Sequence, residues 1–325
     1  MNVHASLQPA PKQPLRSFIP HPVVNATQSF QSCDHCKKPT PKRAPACVNC
    51  GRRRLSTVAL KAQRQIERRF LAAFFARETP VAYALFLANL LVYLLTAALA
   101  GGSPFENLLR GVDGPSLLAF GAQTNTALLG GEYFRLITPI FLHLSGLHLL
   151  SNSFALAIVG PQVERLYGSV RFLLIYLLAG LGGILSSVLA HALSGRPNTL
   201  AVGASGAIFG LFGVLAVFSF KYRAELPAAF INSFAIAVLP AIAVNLFIGF
   251  TVPFIDNSIH LGGLLAGAGL AFIIPYLAPG RERVTRRQLA LIAACTVLVT
   301  ICFVRAYQVS PRYWPTVEQA ALSKG

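Results

Sequence analysis

Apolar residues in this chain come in long runs separated by short polar breaks, and the first long run begins only near Val81. A bilayer core needs about 20 apolar helical residues to cross it. The runs at 81–100, 144–162, 170–193, 205–220, 228–250, 258–278 and 288–306 therefore predict seven spanning helices. Those at 144–162 and 205–220 are short or interrupted, as expected where backbone lines a wet cavity instead of lipid. Between the first and second runs, residues 101–143 are half apolar but broken by Gly and Pro, which predicts a segment lying in the interface. Before Val81 the pattern changes. Residues 1–32 are rich in Pro, Gln, Ser and Asn without periodicity and read as disordered, with no cleavable signal pattern. In 55–79, Leu55, Val58, Ala62, Ile66, Phe70 and Phe74 recur at helical spacing, with Lys61, Arg64, Arg68 and Arg69 on the other side. This predicts an amphipathic linker helix on the inner leaflet in preference to a solvated one. The whole is an all-α membrane protein, with its membrane body over 80–310 and a tail at 311–325.

Composition agrees. Hydrophobic residues make up 54% of the 325 and charged ones 12%, against about a quarter charged in soluble domains. The charge is lopsided: half of the 28 Lys and Arg, but only three of the 11 Asp and Glu, lie in the first 80 residues. With the N-terminus in the cytoplasm, 22 of the 28 basic residues fall inside and six outside. The inverted arrangement breaks the positive-inside rule. The C-terminus is then outside, and the expected location is the plasma (inner) membrane. Anionic lipid is the economical partner of the basic head, and no nucleic acid is expected.

Two C-x₂-C knuckles, Cys33/Cys36 and Cys47/Cys50, stand in "CDHCKKPTPKRAPACVNC". That spacing suits four thiolates on one tetrahedral Zn²⁺ and a zinc ribbon over 33–54, with Gly51 allowing a tight turn. A reducing cytoplasm argues against disulfides, and no strand–helix–strand pattern supports a thioredoxin-like dithiol. A closed Cys₄ site is structural; what the ribbon binds in the cytoplasm is not written in its residues. Cys295 and Cys302, in the last run, read as packing residues.

Polar residues inside spans are functional candidates by default, and the set is short. It comprises His143, His148, Ser151, Asn152 and Ser153 near the second span, Ser205 in the fourth, and His260, after Asp256 and Asn257, in the sixth. All lie at the outside ends of spans that run inward, so they share one depth. Serine needs a base to become a nucleophile, and histidine is the usual one. Ser205 and His260 are each other's nearest sensible partner. His148 and Asn152, four apart on one helix face, are donors suited to an oxyanion. Gly206/Gly210 and Gly263/Gly267 are two G-x-x-x-G pairs, which let helices approach closely. One such pair would read as a dimerisation face; two, each beside a candidate catalytic group, point to a Ser–His bond between helices. Asp256 reads as a helix cap. Polar groups confined to the outer half, with no charge at the midplane, argue against a transporter.

These residues resemble the rhomboid family of intramembrane serine proteases over roughly 80–310. "GASGAIFG", with Gly203 before Ser205, resembles the family's nucleophile motif, and "DNSIHLGGLLAG" its histidine motif. The resemblance implies a six-helix core plus a seventh span, with Ser205 as nucleophile and His260 as base. "HLSGLHLLSN" implies His148 and Asn152 as oxyanion donors. Phe209 falls where a ring packs on the catalytic histidine. "VERLYGSVRF" makes Glu164 and Gly168 structural. "GEYFRLIT" resembles the family's tryptophan–arginine motif; Arg135 is kept and Phe134 stands where Trp is usual. The implied reaction is hydrolysis of single-span membrane proteins near the outer face, by a dyad with no catalytic metal. Non-catalytic relatives usually lack the Ser or the His; this chain keeps both.

Overall fold

The computed structural model describes residues 29–33, 35–51, 57–223, 228–252, 255–277, 285–314 and 316. The chain divides into two compact units, Met1–Ile66 and Glu67–Gly325. The boundary lies inside a helix, α1 (Thr57–Phe75).

The first unit holds a small antiparallel hairpin, β1 (Phe30–Ser32) against β2 (Pro39–Pro41). This corrects part of the disorder expected over 1–32, since Phe30–Ser32 is strand. Residues 1–28, and 52–56 at the ribbon–helix junction, lie outside the described residues.

The second unit is helical. In chain order after α1 come α2 (Pro80–Leu99), α3 (Pro104–Arg110), α4 (Gly114–Ala119), α5 (Asn125–Leu129), α6 (Gly146–Tyr167), α7 (Ser169–Leu193), α8 (Ser205–Lys221), α9 (Ala228–Thr251), α10 (Asn257–Ile273) and α11 (Arg286–Val309). Each of the seven apolar runs is thus a helix, displaced by a few residues. Among the described residues, three stretches are long and apolar enough to cross a membrane by themselves: Arg64–Leu99, Ser169–Leu193 and Arg286–Arg312. The helices α8 and α10 have 17 residues each, about 26 Å at 1.5 Å per residue, short of a hydrocarbon core of about 30 Å. The full-length α6 carries His148, Ser151, Asn152, Ser153, Gln162 and Glu164, which dilute its apolarity. The segment 101–143 is a chain of short helices, α3 to α5, followed by 3₁₀ turns at Tyr133–Leu136 and Thr138–Ile140.

Glycine sets the packing at the centre. A Cβ on Gly263 would lie 1.9 Å from the Gly206 carbonyl oxygen, and one on Gly267 would lie 2.0 Å from that of Gly210. Both pairs advance together along the chain, so α8 and α10 run parallel. The antiparallel α7 joins them: a Cβ on Gly183 would meet the Ile259 carbonyl at 2.8 Å, and one on Gly182 the Ala266 methyl at 2.6 Å. The two G-x-x-x-G pairs do face each other, and the G-G of α7 completes a three-helix contact that spacing on α8 and α10 alone does not announce.

At the other end, Glu164 caps a helix that its own chain leaves uncapped. Thr79 makes no side-chain cap on α2, and Pro80 has no N–H. The buried Glu164 carboxylate accepts the N–H groups of Val81 (3.1 Å) and Ala82 (2.7 Å), and the Ser169 hydroxyl (2.7 Å). Gly168, at φ +76°, ends α6 by donating its N–H to the Glu164 carbonyl at 2.7 Å. Of the apolar stripe expected on α1, Phe74 is buried and Phe70 is packed against the core, while Ile66 is exposed.

Candidate active site

Ser205 is the first residue of α8, and Gly203 prepares its entry. Gly203 sits at φ +124°, a conformation that residues with side chains rarely adopt. Its N–H donates to the Pro139 carbonyl at 2.8 Å. A Cβ there would lie 2.8 Å from His148 Nε2 and 3.7 Å from Asn152 Nδ2. The bare glycine therefore lets both α6 side chains reach the backbone two residues before Ser205. Ser145 caps α6 through a 3.3 Å bond from the His148 N–H, and His143 packs edge-on to His148 with ring centroids 5.3 Å apart. The Asn152 Nδ2 is buried and has no hydrogen-bond partner among the described residues. Ser151, on the same helix, turns away and bonds the Leu147 carbonyl at 2.8 Å.

His260 is one turn into α10 and buried. Its imidazole stacks on Phe209, with centroids 4.3 Å apart and planes 9° from parallel. Phe209 is four residues after Ser205, on the same face of α8, so the imidazole lies along the face that Ser205 begins. His260 Nδ1 has no hydrogen-bond partner among the described residues. Asp256, four residues before His260, is the N-cap of α10. Its Oδ1 accepts the Ser258 N–H at 2.9 Å and its Oδ2 accepts the Ser187 hydroxyl at 2.6 Å, with His191 Nε2 at 3.7 Å. Ser187 and His191 lie on α7, more than 60 residues away in sequence, and no local signal on either side joins them to Asp256.

The loop before α6 is braced by Arg135, which is 1% exposed. Its Nε donates to Glu132 at 2.6 Å and its Nη1 to the carbonyls of Leu118 (2.8 Å) and Ala122 (2.5 Å). Glu164 stands apart, 16 residues along α6 from His148 and so about 24 Å away along its axis; its part is structural.

The second cluster is in the first unit. The sulfurs of Cys33, Cys36, Cys47 and Cys50 all lie within 4.8 Å of one another. Cys33 and Cys50 are 3.9 Å apart and Cys36 and Cys47 are 3.6 Å apart. A bond to Cys47 Sγ from the Thr40 hydroxyl, 3.2 Å away, is the largest of the causes that hold this thiol down at about 5. Backbone N–H groups at Cys36 and His35 lower Cys33. Gly51, at φ +69°, closes the second knuckle with its N–H on the Cys47 carbonyl at 2.8 Å. Cys295 and Cys302 sit in α11, with Cys302 buried and Cys295 packed against the core.

Comparison with known proteins places this chain in a family. The Rhomboid domain model matches residues 130–277, from the braced loop through α10. The chain is 39% identical over 216 residues to the Rhomboid protease GluP of Bacillus subtilis, covering 66% of this chain and 39% of that protein. It is 37% identical over 172 residues to RHOMBOID-like protein 5 of Arabidopsis thaliana, covering 52% and 53% of the two. It is 38% identical over 149 residues to the Putative rhomboid protease YdcA of B. subtilis, covering 46% of this chain and 71% of that one. The chain thus spans about half or less of GluP and of RHOMBOID-like protein 5, but most of YdcA. The match to YdcA, together with the domain match over the helices that carry Ser205 and His260, establishes that this chain belongs to the rhomboid family.

Proposed function

We propose that the chain is an intramembrane serine endopeptidase that cleaves single-span membrane proteins near the outer face of the bilayer through a Ser205–His260 dyad. The observation that carries this reading is the stacking of His260 on Phe209, one turn below Ser205, across a glycine-to-glycine contact. It supports an imidazole lying along the helix face that Ser205 begins. His260 takes the Ser205 proton as Oγ attacks the scissile carbonyl, then returns it to the leaving amine. Asn152 Nδ2, buried without an acceptor, and His148, against Gly203, supply hydrogen bonds to the oxyanion. With Asp256 engaged as a cap and bonded to Ser187, the base works without a third carboxylate.

The same reading orients the molecule. The N-terminus is cytoplasmic, the start of α6, α8 and α10 faces outward, and the C-terminus is outside in the plasma (inner) membrane. The ribbon holds one structural zinc on Cys33, Cys36, Cys47 and Cys50. Four sulfurs about 2.3 Å from a tetrahedral Zn²⁺ stand about 3.8 Å apart; two pairs, at 3.6 and 3.9 Å, lie close to that figure and the whole set falls within 4.8 Å, whereas a disulfide would need about 2.0 Å. The ribbon's partner is cytoplasmic, and the catalytic site uses no metal.

Purified protein and a model single-span substrate test the dyad, with a serine-reactive phosphonate as a second readout. Ser205→Ala and His260→Ala should each abolish cleavage, and the double variant should be no worse than either single one, because the pair acts as a unit. Asn152→Ala and His148→Ala should lower turnover about 10²–10³-fold while the phosphonate still labels Ser205. Substantial cleavage by either dyad variant removes the proposal.

A further inference from the structure

The seventh long helix does not end in free chain. At Ser310–Arg312, α11 tightens into a 3₁₀ turn, and the next residues fold onto the loop between α2 and α6, where the sequence suggested a tail. Tyr313 shares its hydroxyl between the two carboxylate oxygens of Glu132, each 3.0 Å away. Its ring lies 4.9 Å from the Arg135 guanidinium, which has the Phe134 ring at 5.1 Å as well. Arg312 approaches Glu132 at 3.7 Å. Trp314 meets Phe120 edge-on at 6.0 Å and donates its indole N–H to Ser310 Oγ at 3.2 Å. Burial raises the Tyr313 phenol above its ordinary value, so it remains a donor at neutral pH.

A buried guanidinium is stable only when its donors and its charge are matched. Inside the loop, Arg135 finds one carboxylate, two carbonyls and the Phe134 ring. Phe134 is a smaller cation–π partner than the Trp usual at that position in the family. The second ring, and the hydroxyl that orients Glu132, both come from the C-terminal end of the chain.

The braced loop leads directly to the nucleophile. The Thr138 hydroxyl donates to the Gly121 carbonyl at 2.6 Å. The Pro139 carbonyl accepts the Gly203 N–H at 2.8 Å, and Gln123 and Ala201 exchange two backbone bonds at 3.1 and 2.9 Å. The backbone on both sides of Val202, just ahead of Ser205, is therefore pinned to the loop that Tyr313 covers.

We propose that Tyr313, with Trp314 and Arg312, is a C-terminal clamp that positions the 101–143 loop and, through it, the backbone leading into Ser205. These are positioning residues, since none of them touches the reacting groups. Their effect on turnover rests on the proteolytic reading above; their effect on the loop does not.

The test compares Tyr313→Phe, Tyr313→Ala and Tyr313→Ala/Phe134→Trp in the purified full-length chain, by substrate kinetics and by amide hydrogen exchange over residues 118–136. Tyr313→Phe keeps the ring and loses only the bond to Glu132, so it stays informative if the alanine variant fails to fold. Tyr313→Ala should lower kcat about 10-fold, equivalent to about 1.4 kcal/mol of barrier, with KM unchanged within about two-fold, because substrate docking is untouched. Tyr313→Phe should lie between it and the parent. Trp at position 134 offers Arg135 a larger π face and should recover part of the lost kcat. Exchange in the loop should rise in the same order as kcat falls. Unchanged loop exchange in Tyr313→Ala overturns the clamp whatever the catalytic activity proves to be. Faster exchange with kcat at the parent value overturns its link to Ser205, and a double variant no better than Tyr313→Ala overturns the assignment of the ring.

Discussion

Asp256 and His260 stand one helical turn apart, yet their side chains serve different neighbours. The carboxylate of Asp256 closes the start of α10 and binds Ser187 on α7, while His260 turns its ring onto Phe209 and leaves Nδ1 without a partner among the described residues. Asp256→Asn should therefore keep most of the cleavage rate, because an amide oxygen still caps the helix. A third triad member would cost on the order of 10⁴-fold in turnover when made an amide, so steady-state kinetics of this one variant separates the two roles. The cap is legible in the sequence because its signal is local: an Asp immediately before a helical apolar run. The Ser187–His191 side of the same cluster is not legible, because helix α7 reaches it only through tertiary packing. Gly203 is intermediate. Its place in the motif marks it, but the need for φ +124° and for room beside the His148 ring belongs to the fold.

At the scale of elements, two devices hold the site, and they differ in how they show in the sequence. The glycine pairs of α8 and α10 announce themselves by four-residue spacing, since that spacing puts small residues on one helix face. The part of α7 in the same contact is harder to see, because its four-residue pairs, Ala179/Gly183 and Gly182/Ser186, mix glycine with Ala and Ser. Glu164 shows as structural only through the resemblance of "VERLYGSVRF"; that it caps α2, 82 residues earlier, needs the packed structure. The close approach can be tested away from the chemistry. A methyl on Gly267 would meet the Gly210 carbonyl at 2.0 Å, two turns beyond His260. Gly267→Ala must then push α10 from α8. Overpacking of this kind costs about 1–3 kcal/mol, and the displaced His260 should cut kcat more than KM. Thermal unfolding in detergent together with cleavage kinetics checks both effects. Parent-like stability with parent-like turnover would mean that the helices have slack the geometry does not suggest.

At the scale of the whole molecule, the chain separates into a cysteine-bearing unit and a helical one, with the boundary at Ile66/Glu67. Every residue proposed for the chemistry, Ser205, His260, His148 and Asn152, lies in the helical unit, as do the glycine contacts and the Tyr313 clamp. The four cysteines form a closed sulfur set in the other unit. A metal held by four thiolates would have no open position from which to activate water, so the zinc proposed there would contribute by folding the ribbon. Deleting residues 1–56, which leaves α1 whole from Thr57, should therefore remove all bound zinc while the detergent-solubilised protein still cleaves a model substrate within a few-fold of the parent rate. A chelator strong enough to strip the intact protein should do the same. Because zinc-binding free energy is folding free energy for a domain this small, the stripped ribbon should lose its hairpin, and protease-sensitive sites should appear within residues 29–51 but not in α2 to α11. Elemental analysis, limited proteolysis and a cleavage assay on the same preparations decide the matter. A well-folded, zinc-free truncation that no longer cleaves would mean that the ribbon acts on the catalytic helices themselves. Intact zinc content after the deletion would place the metal outside the four cysteines.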